Sequence, residues 1–342
     1  MKAMILSKVK PLAQNPKPLV MTDLPVPVPK NDEVLIKVAA CGVCHTELDE
    51  IEGRTSPAFL PIVLGHQVVG TVVQRGANAE RFPIEARVGV AWIFSACGRC
   101  NYCKAGLENL CAEFKATGRD VNGGYAEYMT APESFIYPLP TDLDFVTAAP
   151  LLCAGAIGYR SLMLANLKPG QYLGLSGFGA SAHLVLKLVR FRYPDVKIYV
   201  FARNQYERDF ALSLGATWAG DFDDESPEKL HAIIDTTPVW KPIVATLKNL
   251  VPAGRMVINS IRKESHDQHV LQELDYARDL WLEKEIKSVA NVTRADVQYF
   301  LQLAAQIPII PTVEIYPLNE ANRALTELKN RQIRGAKVLV IE

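Results

Sequence analysis

Six of the seven cysteines in this chain fall into two groups whose residue types suit a divalent metal. Cys97, Cys100, Cys103 and Cys111 stand at C-x2-C-x2-C-x7-C spacing in the run CGRCNYCKAGLENLC. Four thiolates in one loop suit tetrahedral zinc and leave no open coordination position, which makes such a site structural. Gly98 and Gly106 give the tight chain path that the loop needs. An iron–sulfur cluster uses the same ligands and competes with zinc on spacing alone. Cys44, His66 and Cys153 lie far apart, within GVCHTE, LGHQ and LLCAG. Two thiolates and one imidazole leave a fourth position free, and a zinc held that way does chemistry. On spacing alone this trio is the weaker reading, because a solitary buried cysteine usually acts as a small hydrophobe. Cys41 is read in that way, as a buried packing residue.

A second chemical signal lies at GFGASA, residues 177–182. Gly177, Gly179 and Ala182 fit G-x-G-x-x-G/A between an expected strand and an expected helix. The first glycine permits the tight turn, and the second lets backbone approach a pyrophosphate. The small third residue lets helix and strand pack, while the helix N-terminus offers N–H donors to the anion. An NAD site usually places Asp or Glu at the end of the next strand. Here that position holds Ala202, and Arg203 follows. With no carboxylate to repel a 2′-phosphate and a guanidinium to pair with it, NADP(H) is favoured over NAD(H).

These residues need two kinds of scaffold. Residues 1–150 carry short Val/Ile-rich runs bounded by turn residues, among them 34–40, 66–73 and 87–92, which read as an all-β unit. Six of the 22 prolines crowd into residues 11–30, which must therefore follow an edge or the surface. Residues 151–290 change texture. Strand candidates at 172–177, 197–202, 231–237, 255–260 and 285–291 alternate with helical stretches such as 179–191 and 205–215. That alternation means βαβ units and a doubly wound parallel sheet. Residues 291–342 turn β-rich again around a helix at 319–330, which suggests a return to the first domain.

At 342 residues the chain has room for two cores, and 49% hydrophobic with 22% charged residues is ordinary for a globular protein. Lys+Arg and Asp+Glu both number 37, so no basic excess points to nucleic acid or an acidic membrane surface. No apolar run approaches membrane-helix length, and the N-terminus lacks a signal-peptide core. The expected compartment is the cytoplasm, where clustered cysteines favour metal over disulfides.

Taken together, AACGVCHTELDEIEG, LPIVLGHQVVGTVV, the four-cysteine loop, GGYAEYM, LLCAGAIGYRSL, GFGASAHL and GAKVLVI resemble the zinc-dependent medium-chain alcohol dehydrogenases, nearly end to end and in the family's order. The resemblance implies a GroES-like catalytic β domain over 1–150, with a structural-zinc loop near 95–112. It places a Rossmann domain over 151–290, a return to the catalytic domain over 291–342, and an active-site cleft between the domains. It implies two zinc ions per chain and makes Cys44, not Cys41, the catalytic ligand, beside His66 and Cys153. Thr46 matches the hydroxyl that passes the substrate proton outward, and Trp92 resembles an aromatic wall of the substrate pocket. The implied reaction is reversible hydride transfer between an alcohol and NAD(P), giving an aldehyde or ketone. The substrate is then a small alcohol or aldehyde, and the assembly a homo-oligomer, tetramer or dimer. A polyol dehydrogenase of the same superfamily is the alternative. A non-enzymatic nucleotide-binding protein would be expected to have lost one of the matched residues. Three positions depart from the family pattern. Gln67 stands where many members carry Glu, Glu47 where many have the Asp that orients the ligand histidine, and Asp49 where the outer histidine of the proton relay often stands, so that either Asp49 serves or the proton leaves directly to water.

Overall fold

The alternation of Val34, Ile36 and Val38 with residues facing the other way builds Glu33–Val43, the strand around which the first unit is organised. In the computed structural model, residues 1–307, 309–330 and 334–341 are described, and two compact units emerge. One comprises Met1–Ala156 with Val292–Glu342, and the other Ile157–Asn291. Residues 308, 331–333 and 342, all within the expected return segment, lie outside the described residues.

In the first unit a sheet runs in the order Ile136–Pro138, Arg87–Val90, Val68–Arg75, Glu33–Val43, Ala336–Val340, Val313–Pro317, with Tyr128–Pro132 also paired to Glu33–Val43. The β-branched side chains of Val34, Ile36, Val68, Val72 and Val88 are fully buried, and each contributes about 1.5–3 kcal/mol of apolar burial. Ala336–Val340 runs antiparallel to Glu33–Val43, with Lys337 opposite Val43. The Lys337 side chain is itself fully buried. Its Nζ donates to Glu314 Oε2 at 2.5 Å, Glu327 Oε2 at 2.8 Å and the Tyr316 hydroxyl at 2.6 Å. The proline-rich segment supplies one strand, Leu19–Asp23, at the edge of a small sheet with Lys2–Leu6 and Ile62–Val63.

The second unit is an all-parallel sheet ordered Trp218–Gly220, Lys197–Phe201, Tyr172–Ser176, Leu230–Asp235, Leu250–Ile258, Glu285–Ser288. Counted along the chain the order is 3-2-1-4-5-6, which reverses between Tyr172–Ser176 and Leu230–Asp235. In such sheets that reversal is where dinucleotides bind, beyond the carboxyl ends of the strands. The expected helices form at Ala180–Arg192 and Gln205–Ser213. No single helix among the described residues is long and apolar enough to cross a membrane.

Candidate active site

Cys44 follows the strand Glu33–Val43 and caps the helix His45–Ile51 in extended backbone. Its amide donates to Glu47 Oε2 at 2.8 Å, so the helix start is capped by a residue three positions on. The other oxygen of that carboxylate, Oε1, lies 2.5 Å from His66 Nδ1, with both side chains out of solvent. His66 is delivered by Gly65, whose φ of +98° places it in the left-handed region. A side chain there would run into the Tyr125 ring and Cys41 Sγ. Cys153 follows the 3-10 turn Ala149–Leu152. The ligand atoms of Cys44, His66 and Cys153 all lie within 4.8 Å of one another.

The donor set fits a zinc ion. His66 Nε2 is buried and without a hydrogen-bond partner, while Nδ1 is held by Glu47, the arrangement that fixes tautomer and aim in zinc-binding histidines. The Cys153 thiol, hydrogen-bonded to Cys44, holds the Cys44 pKa well below the usual thiol value despite burial. Burial works against a charged His66, but Glu47 and Cys44 outweigh it and keep its pKa well above the ordinary value. The site thus favours positive charge, as a cation's donor set must.

Around this trio, Thr46 is buried with its Oγ1 3.7 Å from Cys44 Sγ. Asp49 is also buried, and its Oδ1 accepts from Arg54 Nε at 2.5 Å, so it is held in an ion pair. Gln67 is buried with its amide packed over Gly42. Elsewhere in the same unit Trp92 is buried, its ring tilted 39° to that of Phe114 at 4.9 Å between centroids, with Arg119 over it at 5.2 Å. Glu50, one turn beyond Thr46 and Glu47, is buried with neither carboxyl oxygen hydrogen-bonded. Sequence reasoning does not single out Arg54, Arg119 or Glu50. The three-residue step from Glu47 to Glu50 on one helix face was the available signal for the last.

The four-cysteine loop converges as its spacing suggests. Cys97 Sγ and Cys103 Sγ are 3.9 Å apart, and all four ligand atoms lie within 4.8 Å of one another. Tetrahedral zinc with Zn–S near 2.3 Å requires sulfurs about 3.8 Å apart, whereas a disulfide would bring them to about 2 Å. Amides point at the sulfurs: Cys97 to Cys111, Cys100 to Cys97 and Cys103 to Cys100, at 3.4–3.5 Å. The Arg99 and Cys100 amides bring Cys97 down to about 6.

In the second unit, Gly177 has a φ of +80° and faces Thr236 and Thr237 so closely that a Cβ would lie 2.8 Å from Thr237 Cγ2. Gly179 caps the helix Ala180–Arg192, and a Cβ there would meet nothing within 4 Å, which leaves room for a ligand. Ala182 is fully buried. His183 Nδ1 lies 3.2 Å from the Gly179 carbonyl oxygen and donates to it. Ala202 is buried, its carbonyl accepting from Arg208 Nη1 at 2.7 Å, and Arg203 is exposed. The strand end therefore offers arginines and no carboxylate at 202.

Comparison with known proteins agrees with this construction. Residues 30–141 match the family model described as the alcohol dehydrogenase GroES-like domain. A probable alcohol dehydrogenase of Mycobacterium tuberculosis is 40% identical over 336 residues, covering 97% of this chain and 94% of that protein. An alcohol dehydrogenase of Geobacillus stearothermophilus is 30% identical over 352 residues, covering all of both. The crystal structure of CAD from Helicobacter pylori complexed with NADP(H) superposes with a TM-score of 0.86 at 20% identity, covering 99% of this chain and 97% of that one. The first unit is thus GroES-like, the second a nucleotide-binding Rossmann unit, and the protein an oxidoreductase. The chain belongs to the alcohol dehydrogenases of the medium-chain dehydrogenase/reductase superfamily.

Proposed function

We propose that the chain is a zinc-dependent alcohol dehydrogenase or aldehyde reductase that prefers NADP(H). The observation that carries this reading is the convergence of Cys44, His66 and Cys153 around the orphaned His66 Nε2. When bound there, zinc polarises the alcohol or carbonyl oxygen, and the nicotinamide carries the hydride. The chain's own residues do the rest. Cys44, His66 and Cys153 hold the metal, and Glu47 orients His66. Thr46 Oγ1 takes the proton of the alcohol. Asp49 Oδ1 is held by Arg54, which favours water over Asp49 as the next acceptor after Thr46. The balance is one alcohol and oxidised cofactor to one carbonyl compound, reduced cofactor and one proton. Trp92 forms an apolar wall of the substrate pocket. The Gly177–Ala182 turn and the helix behind it bind the pyrophosphate, and Arg203 pairs with the 2′-phosphate. Cys97, Cys100, Cys103 and Cys111 hold a second, structural zinc that contributes folding free energy.

The test joins metal analysis to a panel of alcohols and aldehydes with both cofactors. Two zincs per chain are expected. Cys44→Ser should lose one of them and lower kcat/KM by about 100-fold or more, with cofactor affinity retained. Unchanged turnover in Cys44→Ser rejects the reading.

A further inference from the structure

At the point where the parallel sheet reverses its order, a buried ion pair sits directly beneath the turn at Gly177. Asp235, the last residue of Leu230–Asp235, is fully buried, and Lys263 reaches it from the segment beyond Leu250–Ile258 with its side chain 8% exposed. Lys263 Nζ lies 2.5 Å from Asp235 Oδ2, 2.6 Å from the Thr237 carbonyl oxygen and 3.2 Å from the Val239 carbonyl oxygen. An ammonium has three donors, and all three are used. Lys263 is therefore not free to bind an anionic ligand itself. Asp235 is equally occupied, since Oδ1 accepts from Ser176 Oγ and from Thr237 Oγ1, each at 2.9 Å.

A buried ion pair is weak as a source of stability, because desolvation consumes most of what the attraction returns. Its value here is positional. One cation ties the end of a strand to two carbonyls of the following turn. Through Ser176 the same carboxylate ties that turn to the strand Tyr172–Ser176, which ends just before Gly177. Thr236 completes the tie, with its Oγ1 donating to the Ser176 carbonyl oxygen at 3.1 Å. Residues 236–239 are thereby pressed against the Gly177 turn, where a Cβ on the glycine would already touch Thr236 and Thr237.

We propose that the Asp235–Lys263 pair is a positioning device for the bound dinucleotide: it holds the 236–239 turn against Gly177 and so sets the width of the crevice that receives the pyrophosphate and the nicotinamide half. The adenosine end is recognised elsewhere, at the Ala202–Arg203 strand end, and does not depend on this pair. The proposal rests on the dinucleotide reading of the second unit.

The experiment uses the full chain and two probes, NADPH and adenosine 2′,5′-bisphosphate, with binding followed by fluorescence and calorimetry. Lys263→Met alone would strand the Asp235 charge, so it is combined with Asp235→Asn, which keeps an acceptor for Ser176 and Thr237. The double variant is expected to bind NADPH about 10-fold more weakly and the bisphosphate within twofold of the parent. Unchanged NADPH affinity overturns the proposal, and so does equal weakening of both probes, which is what general loosening would produce. A parent protein that binds neither probe overturns the dinucleotide reading itself. Should the double variant not fold, Lys263→Arg keeps the charge, but its planar head cannot meet the same three acceptors. The same split between probes is expected there, and unchanged NADPH affinity again overturns the proposal.

Discussion

Glu47 touches two members of the metal trio at once: Oε2 accepts the Cys44 amide at 2.8 Å, and Oε1 lies 2.5 Å from His66 Nδ1. One carboxylate thus fixes the backbone of one ligand and the ring of another. Glu47→Ala is expected to weaken zinc at this site by about 10–100-fold while leaving the four-cysteine site loaded. Competition with a chromogenic chelator, which releases the two metals in turn, checks this. Simultaneous release of both metals would mean that Glu47 serves the fold and not the site.

Arg203 stands exposed beside the buried Ala202, just past the end of the strand Lys197–Phe201. Arg203→Ala is expected to lower kcat/KM with NADPH about 10-fold, the loss of one charge-assisted contact, and to leave NADH within twofold. An equal loss with both cofactors would assign Arg203 to the adenine and not to a 2′-phosphate.

His183 carries a pH dependence. Burial pushes its pKa down to about 4, with the Gly179 carbonyl bond only partly offsetting this. Above pH ~6.5 the residue is neutral in both folded and unfolded chains and adds no slope. As pH falls from about 6.5 to 4, the unfolded chain takes the proton first, so stability is lost across that window, to a total of about 3 kcal/mol. His183→Asn keeps a donor for Gly179 and has no such proton. Its urea midpoint should fall less steeply than the parent's between pH 6.5 and 4.5, and parallel curves would contradict the assignment.

Lys337 is buried among Glu314, Glu327 and Tyr316, whose carboxylates still reach solvent. Lys337→Met is therefore expected to cost about 1–3 kcal/mol, less than breaking a fully buried pair. Denaturant unfolding measures it. A neutral result would show that the two carboxylates hydrate without penalty.

What the sequence revealed tracks how local each feature is. Cys97, Cys100, Cys103 and Cys111 are read from spacing because one short loop holds them all. Glu47 sits beside Cys44 in the chain, so its partnership with a helix start is also local. Strands such as Glu33–Val43 and Tyr172–Ser176 follow from alternation or from buried apolar runs between turns, whereas short ones such as Lys2–Leu6 and Trp218–Gly220 are missed. Asp49 shows the limit. Its place left open whether it takes the proton or water does, and its ion pair with Arg54 was not legible, because a contact made past the helix end has no periodic signature. Asp235 and Lys263 were invisible for the same reason: 28 residues separate them, and only the pairing of Leu250–Ile258 beside Leu230–Asp235 brings them together. Glu50 could be placed on a helix face, but nothing in its neighbours announced that its oxygens would find no donor.

The strand Ala336–Val340 lies between Glu33–Val43 and Val313–Pro317, with Lys337 opposite Val43, the residue just before Cys44. During translation, the ligand-bearing strand emerges almost a whole chain length ahead of the segment that braces it. Until then its neighbouring edge stands open, while the second unit, contiguous in sequence, already has every strand it needs. The order of assembly follows: the second unit can close on the nascent chain, and the first only once Ala336–Val340 is made. Removing Ala336–Val340 is therefore expected to spare the second unit and to unbrace the strand that leads into Cys44.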